Sequence, residues 1–145
     1  MTRIEDADPE RAKALIEAGY VCVDVRSEPE FEAGHIPGSL NVPLMHRADS
    51  GMVPNPEFLD VVQQLFSTTD KLLLSCRSGA RSRRAAEMLV QAGYTQLADL
   101  VTGWEGSRDA FGRSTPGWSK LALPVETGAP AGQSYADVKR RAQSS

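Results

Sequence analysis

The sequence predicts an α/β domain built on a mainly parallel central sheet of about five strands, with helices on both faces. Two observations carry this. Strand-like and helix-like segments alternate along the chain, the order that builds parallel sheets. Residues 20–25 and 72–74 are apolar on both parities, as strands covered on both faces are. No internal repeat points to a solenoid instead.

Each element has its own reason. Asp8-Pro9-Glu10 reads as helix cap, first-turn proline and first-turn acid; Ala12, Leu15 and Ile16 then share a face, and Gly19 stops the helix. The strand at 20–25 ends in charge, with Asp24, Arg26 and Glu28. Residues 28–33 read as one or two helical turns before Gly34, and residues 34–38 as a turn into a short strand at 40–42 that Pro43 ends. Residues 46–56, polar and carrying Gly51, Pro54 and Pro56, read as a surface connection. Asn55-Pro56-Glu57 repeats the cap pattern ahead of a helix with Phe58, Leu59, Val62, Leu65 and Phe66 on its apolar face. After the 72–74 strand, Ala85, Met88, Leu89 and Ala92 recur at helical spacing up to Gly93. Residues 94–101 form a further strand, followed at once by Thr102-Gly103-Trp104. Residues 106–117 turn to Gly, Ser, Arg and Pro, an exposed loop, and packing residues return at 118–125. The boundaries are therefore one domain over residues 1–126, with a loop inserted at about 107–117, and a polar C-terminal tail at 127–145 whose helical pattern from Ser134 is weak.

Composition excludes several function classes. A formal charge of −3 argues against general nucleic-acid or membrane-surface binding. No apolar run is long enough to span a bilayer, and the segment from Met1 to Asp6 has no apolar leader, so the cytoplasm is the expected location. Two cysteines of unlike surroundings and two histidines, His35 and His46, make neither a disulfide framework nor a zinc site.

The chemistry concentrates between the 72–74 strand and the helix after it. Cys76-Arg77-Ser78-Gly79-Ala80-Arg81-Ser82 holds a thiol, a glycine and two arginines, and runs into a helix N-terminus, where unpaired N–H groups favour negative charge. A cysteine attacks as its thiolate, and helix N-termini with nearby cations favour that form. Cys76 therefore reads as a nucleophile at the lip of an anion cradle. Cys22, between Val21 and Val23 with no glycine or arginine beside it, reads as a core filler. Ligands of open α/β sheets bind beyond the C-terminal strand ends, so residues 24–28, 76–81 and 102–104 should meet at one rim.

These residues resemble a single-domain rhodanese of the sulfurtransferase family. Asp24-Val25-Arg26 with Glu30-Phe31, the 34–39 turn and Asn41-Val42-Pro43 is similar to the family's N-terminal signature. Residues 76–82 resemble its active-site loop, and Gly103-Trp104 with Trp118 and Leu123-Pro124-Val125 its C-terminal signature. The resemblance spans Ile4 to Glu126. It implies a rhodanese-like fold and an enzyme that moves a sulfane sulfur from thiosulfate or a persulfide to a thiol, a protein cysteine or cyanide. Cys76 is then the sulfur carrier, and Arg77, Ser78, Gly79, Ala80, Arg81 and Ser82 form the pocket around the outer sulfur. No cofactor or metal is implied beyond the covalent persulfide, and no general base is required when the attacking group is already ionised. Ser78 stands where some thiosulfate-specialised relatives carry lysine, which weakens thiosulfate as the preferred donor.

Other residues have duller readings beside the functional one. Asp24 and Arg26 at a strand end fix loop geometry by mutual or backbone hydrogen bonds. Arg81 faces substrate, or turns inward to brace the loop or to pair with a carboxylate such as Asp24. Arg83 and Arg84 make a solvated helix face; His35 is a structural hydrogen-bonder near the rim, and Trp104 and Trp118 pack as core or lid. Arg108 and Arg113 of the inserted loop either overhang the pocket or stay solvated. Competing functions are a cysteine phosphatase or arsenate-type reductase, whose loops hold five residues between Cys and Arg against four here, and a non-catalytic binding or regulatory module. Oligomeric state is not legible in the sequence.

Overall fold

In the computed structural model, residues 4–144 are described; Met1 to Arg3, and with them half of the expected leader-free N-terminus, and the final tail residue Ser145 lie outside the described residues. A five-stranded sheet runs through the molecule, from β1 (Ile4–Ala7), β2 (Val21–Asp24), β3 (Leu40–Asn41), β6 (Lys71–Ser75) and β7 (Gln96–Leu100). Its spatial order is β1-β7-β6-β2-β3 and every pairing is parallel. The α/β reading is therefore correct, with helices α1 (Pro9–Glu17), α2 (Glu28–Ala33), α3 (Phe58–Leu65), α4 (Ala80–Gln91) and α5 (Tyr135–Ser144) around it.

Alternation along the strands sorts side chains onto two cores. Val23, Leu72, Leu74 and Leu97 face the cluster shared with α3, α4 and α5, while Cys22, Leu73, Ala98 and Leu100 face α1 and Trp118. Leu72, Leu73 and Leu74 are all fully buried, which explains the unbroken apolar run in sequence. The helix starts follow local rules: Asp8 Oδ1 accepts from Arg11 N at 2.8 Å, and Glu30 accepts from the Ser27 N–H at 3.1 Å and hydroxyl at 2.8 Å.

Four expectations need correction. Residues 4–7, not read as an element, form the edge strand β1 beside β7. The 46–56 connection is a hairpin of β4 (Met45–Ala48) and β5 (Gly51–Pro54), paired antiparallel. The inserted loop is also a hairpin, β8 (Gly106–Arg108) with β9 (Ser114–Pro116). The polar tail is in part a helix: Tyr135, Val138 and Ala142 of α5 are buried in the core cluster it shares with α3. Those three positions lie three and four residues apart, one face of a helix whose other faces are polar.

Register fixes the rim. Asp24 pairs with Ser75 and with Asn41, and Leu74 with Asp99, so the segments leaving β2, β6 and β7 emerge side by side. The Val25 N–H donates to Ser75 O at 2.8 Å and continues this alignment past the strand ends.

Candidate active site

The loop between β6 and α4 is held from two sides. Trp104 N donates to Cys76 O at 2.8 Å and Glu105 N to Arg77 O at 2.9 Å, strapping the segment after β7 across it. Such close approach requires Gly103: a Cβ there would lie 2.5 Å from Arg77 O and 2.7 Å from Cys76 O. Gly79 sits at φ +104°, in the left-handed region, where a Cβ would run into Val101 O. This backbone turn aims the Gly79 N–H at the sulfur, 3.1 Å from Cys76 Sγ.

The thiol lies under the loop and not at its lip. Cys76 is 1% exposed. Its Sγ accepts from the Gly79 N–H and donates to Ser82 Oγ at 3.3 Å, and the Ser82 hydroxyl in turn donates to Asp99 Oδ1 at 2.5 Å. Ser82 is fully buried, so it meets the sulfur from the core side. Sequence reasoning missed Asp99, because it lies 17 residues beyond Ser82 on the next strand. Burial pushes its carboxyl up to about 6, against the lowering by the Ser82 hydrogen bond.

Arg81 donates both Nη atoms to Glu30, at 2.8 and 2.9 Å. Its partner is thus Glu30 and not Asp24, and the pair clamps the first turn of α4 to the start of α2. Burial raises the Glu30 carboxyl, but hydrogen bonds from Arg81 and Ser27 outweigh it and hold it at about 2. Asp24 and Arg26 form their own buried pair at 2.8 Å, and Arg26 Nη2 also donates to Gly34 O at 2.6 Å, with its guanidinium 5.2 Å from the Trp104 ring centre. Asn41 Nδ2 closes the same corner on Asp24 O and Arg26 O. His35 is fully buried, stacked on Phe31, with Nδ1 at Phe31 O and Nε2 at Glu126 Oε1. These residues position the rim without reaching the sulfur.

Among the described residues, two clefts open at the loop. One, of about 660 Å³, lies between α2 and the β4–β5 hairpin and is bordered by Arg26, Arg47, Arg77, Arg81, Trp104 and Glu105. The other lies against the β8–β9 hairpin, bordered by Arg77, Ser78, Glu105, Arg108 and Lys120. Arg77, exposed and with no ion pair among the described residues, stands between them. Arg108 therefore does border the site, whereas Arg113 turns to Asp109 and the Phe111 ring. Ala80 is exposed at the start of α4. Arg83 pairs with Asp6 at 2.7 Å, and Arg84 Nη1 lies 3.9 Å from Met45 Sδ. No group of three or more His, Cys, Asp or Glu among the described residues is arranged to hold a metal, and no described helix is long and apolar enough to cross a membrane.

A model of the rhodanese-like domain matches residues 8–110. The chain belongs to the rhodanese-like family. The rhodanese-like chain is 38% identical over 115 residues to thiosulfate sulfurtransferase 16, chloroplastic, of Arabidopsis thaliana, covering 79% of this chain and 87% of that one. It is 39% identical over 125 residues to the senescence-associated protein DIN1 of Raphanus sativus, covering 86% of this chain and 62% of the relative. Among solved structures, Rv0390 from M. tuberculosis superposes with a TM-score of 0.72 at 28% identity, over 88% of this chain and all of that one. The match begins one residue before α1 and ends within the β8–β9 hairpin, so it includes the whole rhodanese-like loop from Cys76 to Ser82.

Proposed function

We propose that this rhodanese-like chain is a sulfurtransferase that carries a sulfane sulfur on Cys76. The observation that carries the reading is the Gly79 N–H held 3.1 Å from Cys76 Sγ in a backbone turn fixed from two sides. A directed donor favours an anionic sulfur over a neutral one. In the first half-reaction the Cys76 thiolate attacks the outer sulfur of thiosulfate or of a persulfide. The donor's S–S bond breaks, its electron pair leaves with sulfite or the donor thiolate, and Cys76 becomes a persulfide anion. In the second, a thiol acceptor in its thiolate form, a protein cysteine thiolate or cyanide attacks the outer sulfur and returns the Cys76 thiolate. The persulfide is the covalent carrier, and we propose no further cofactor. Arg77 is the open cation for the anionic end of the donor, since Arg81 is already gripped by Glu30. A reducing compartment, the cytoplasm in our reading, keeps Cys22 and Cys76 as free thiols. A phosphatase reading fares worse, because both Arg81 Nη atoms that would clamp a phosphate are engaged.

Incubation of the full chain with thiosulfate, and separately with a small persulfide, tests this. Intact mass should rise by one sulfur atom, cyanide should remove it, and Cys76→Ser should never acquire it. No adduct from either donor would overturn the sulfurtransferase reading in favour of a binding module on the same fold.

A further inference from the structure

Cys76, Ser82 and Asp99 form a continuous hydrogen-bonded line from the loop into the sheet. Sγ lies 3.3 Å from Ser82 Oγ, which lies 2.5 Å from Asp99 Oδ1, and all three residues are at most 2% exposed. Ser82 has one proton and three neighbours for it, Gly79 O at 3.2 Å being the third; the Asp99 contact is the shortest. We infer that Asp99 and Cys76 share one ionisable proton through the Ser82 hydroxyl, so that the carboxyl of β7 positions and reprotonates the sulfur carrier. This rests on the sulfur-carrier reading only for its role in turnover.

The step balances within the three groups. The thiol proton passes to Ser82 Oγ while the Ser82 proton passes to Asp99 Oδ1. One S–H and one O–H bond break, two O–H bonds form, and the single negative charge moves from carboxylate to sulfur. Both hydrogen bonds then reverse: the neutral Asp99 carboxyl donates to Ser82, and Ser82 donates to the thiolate beside the Gly79 N–H. The anionic sulfur gains a second directed donor without any proton exchange with water. When an acceptor leaves with the sulfur, the regenerated thiolate takes the proton back along the same line.

The surroundings suit a shared proton. Asp6 from β1 and Glu87 from α4 add negative field at Asp99, and Arg83 from α4 opposes it while paired with Asp6. The loop after β6 brings the Cys76 thiol to Asp99 by way of Ser82. Burial and these carboxylates raise Asp99 to about 6, which brings it within reach of a proton at neutral pH. Coupled groups titrate as a pair in two macroscopic steps.

The test uses the full chain without any sulfur donor, so its outcome is independent of whether Cys76 transfers sulfur. Alkylation of Cys76 by iodoacetamide is followed from about pH 5 to about pH 9 in wild type, Asp99→Asn and Ser82→Ala. The wild-type rate should rise through a first step near the Asp99 titration, level off, and rise again. Each variant should give one step, climbing about tenfold per pH unit below its midpoint. Variant curves that match the wild-type shape after scaling by a constant would reduce Asp99 to a structural role and overturn the inference. A second measurement leaves Asp99 and Ser82 unaltered: the carbon-13 shift of the Asp99 carboxyl should titrate in two steps in wild type and in one in Cys76→Ala. One identical step in both proteins would likewise overturn it.

Discussion

Cys22 and Cys76 are about equally hidden, at 4% and 1% exposed, and they sit on opposite faces of the same sheet. Cys22 lies inside β2, its Sγ 3.7 Å from Ser75 Oγ, and burial with Asp24 nearby pushes its thiol up to about 12. Cys76 lies just past β6, where the chain leaves the sheet and its backbone N–H groups are free to turn. The Gly79 N–H takes up that freedom and meets the sulfur, with Ser82 on the other side. Burial alone therefore does not tell the two thiols apart. What separates the two is a backbone N–H aimed at the sulfur at 3.1 Å, which a strand end followed by a helix start supplies to Cys76, whereas Cys22 has the more distant Ser75 hydroxyl at 3.7 Å.

The largest effect should come from removing that donor. Gly79→Ala places a Cβ against Val101 O at a φ of +104°, so the loop must give way. Persulfide formation should fall about a hundredfold, as losing one directed donor to a developing anion does elsewhere. Unfolding free energy should drop by about 2–3 kcal/mol in urea titration. A variant with wild-type transfer would show that the Gly79 N–H does not distinguish Cys76 from Cys22.

A smaller effect should follow from the clamp beneath the loop. Glu30→Gln leaves Arg81 without its carboxylate, with both side chains mostly shielded at 24% and 18% exposed, and should cost about 1–2 kcal/mol at neutral pH. Because the folded Glu30 carboxyl is held at about 2, below its unfolded value, its stabilisation is present above the unfolded carboxylate range and is lost as pH falls toward about 2. Urea midpoints of wild type and variant should therefore converge between about pH 4 and about pH 2. Sulfur transfer should fall severalfold, less than in Gly79→Ala, because the N–H contact to sulfur remains.

The same contrast shows what the sequence made legible. Cys76 could be picked out because its glycine and arginines are neighbours in the chain, and the buried strands because residues 72–74 are apolar throughout. Glu30 and Asp99 could not be connected to the loop, since their partners lie 51 and 17 residues away and are brought near only by strand register. Glu30 stood out only as part of the short helical stretch at 28–33 and of the N-terminal signature, and neither says anything about Arg81. The edge strand at 4–7 was hidden by Glu5 and Asp6, and the two hairpins by glycines and prolines that also mark loops. Helix α5 was obscured because only Tyr135, Val138 and Ala142 turn inward, the last of them small.

Cys22 provides the last and smallest test. Cys22→Ala should leave the rate of persulfide formation unchanged and lower neutral-pH stability by about 1 kcal/mol, the loss of one small buried group. Its pH dependence is more telling. A thiol held up to about 12 when folded ionises more readily when unfolded, so its contribution is full below the ordinary thiol range and is lost as pH rises toward about 12. Wild type should lose stability relative to Cys22→Ala at up to about 1.4 kcal/mol per pH unit across that window, read from paired urea titrations. A flat difference would mean that the folded protein ionises Cys22 as easily as the open chain does. The sheet interior would then stabilise a thiolate without a backbone N–H aimed at it, and the distinction between the two cysteines would fail on the side where it was drawn most sharply.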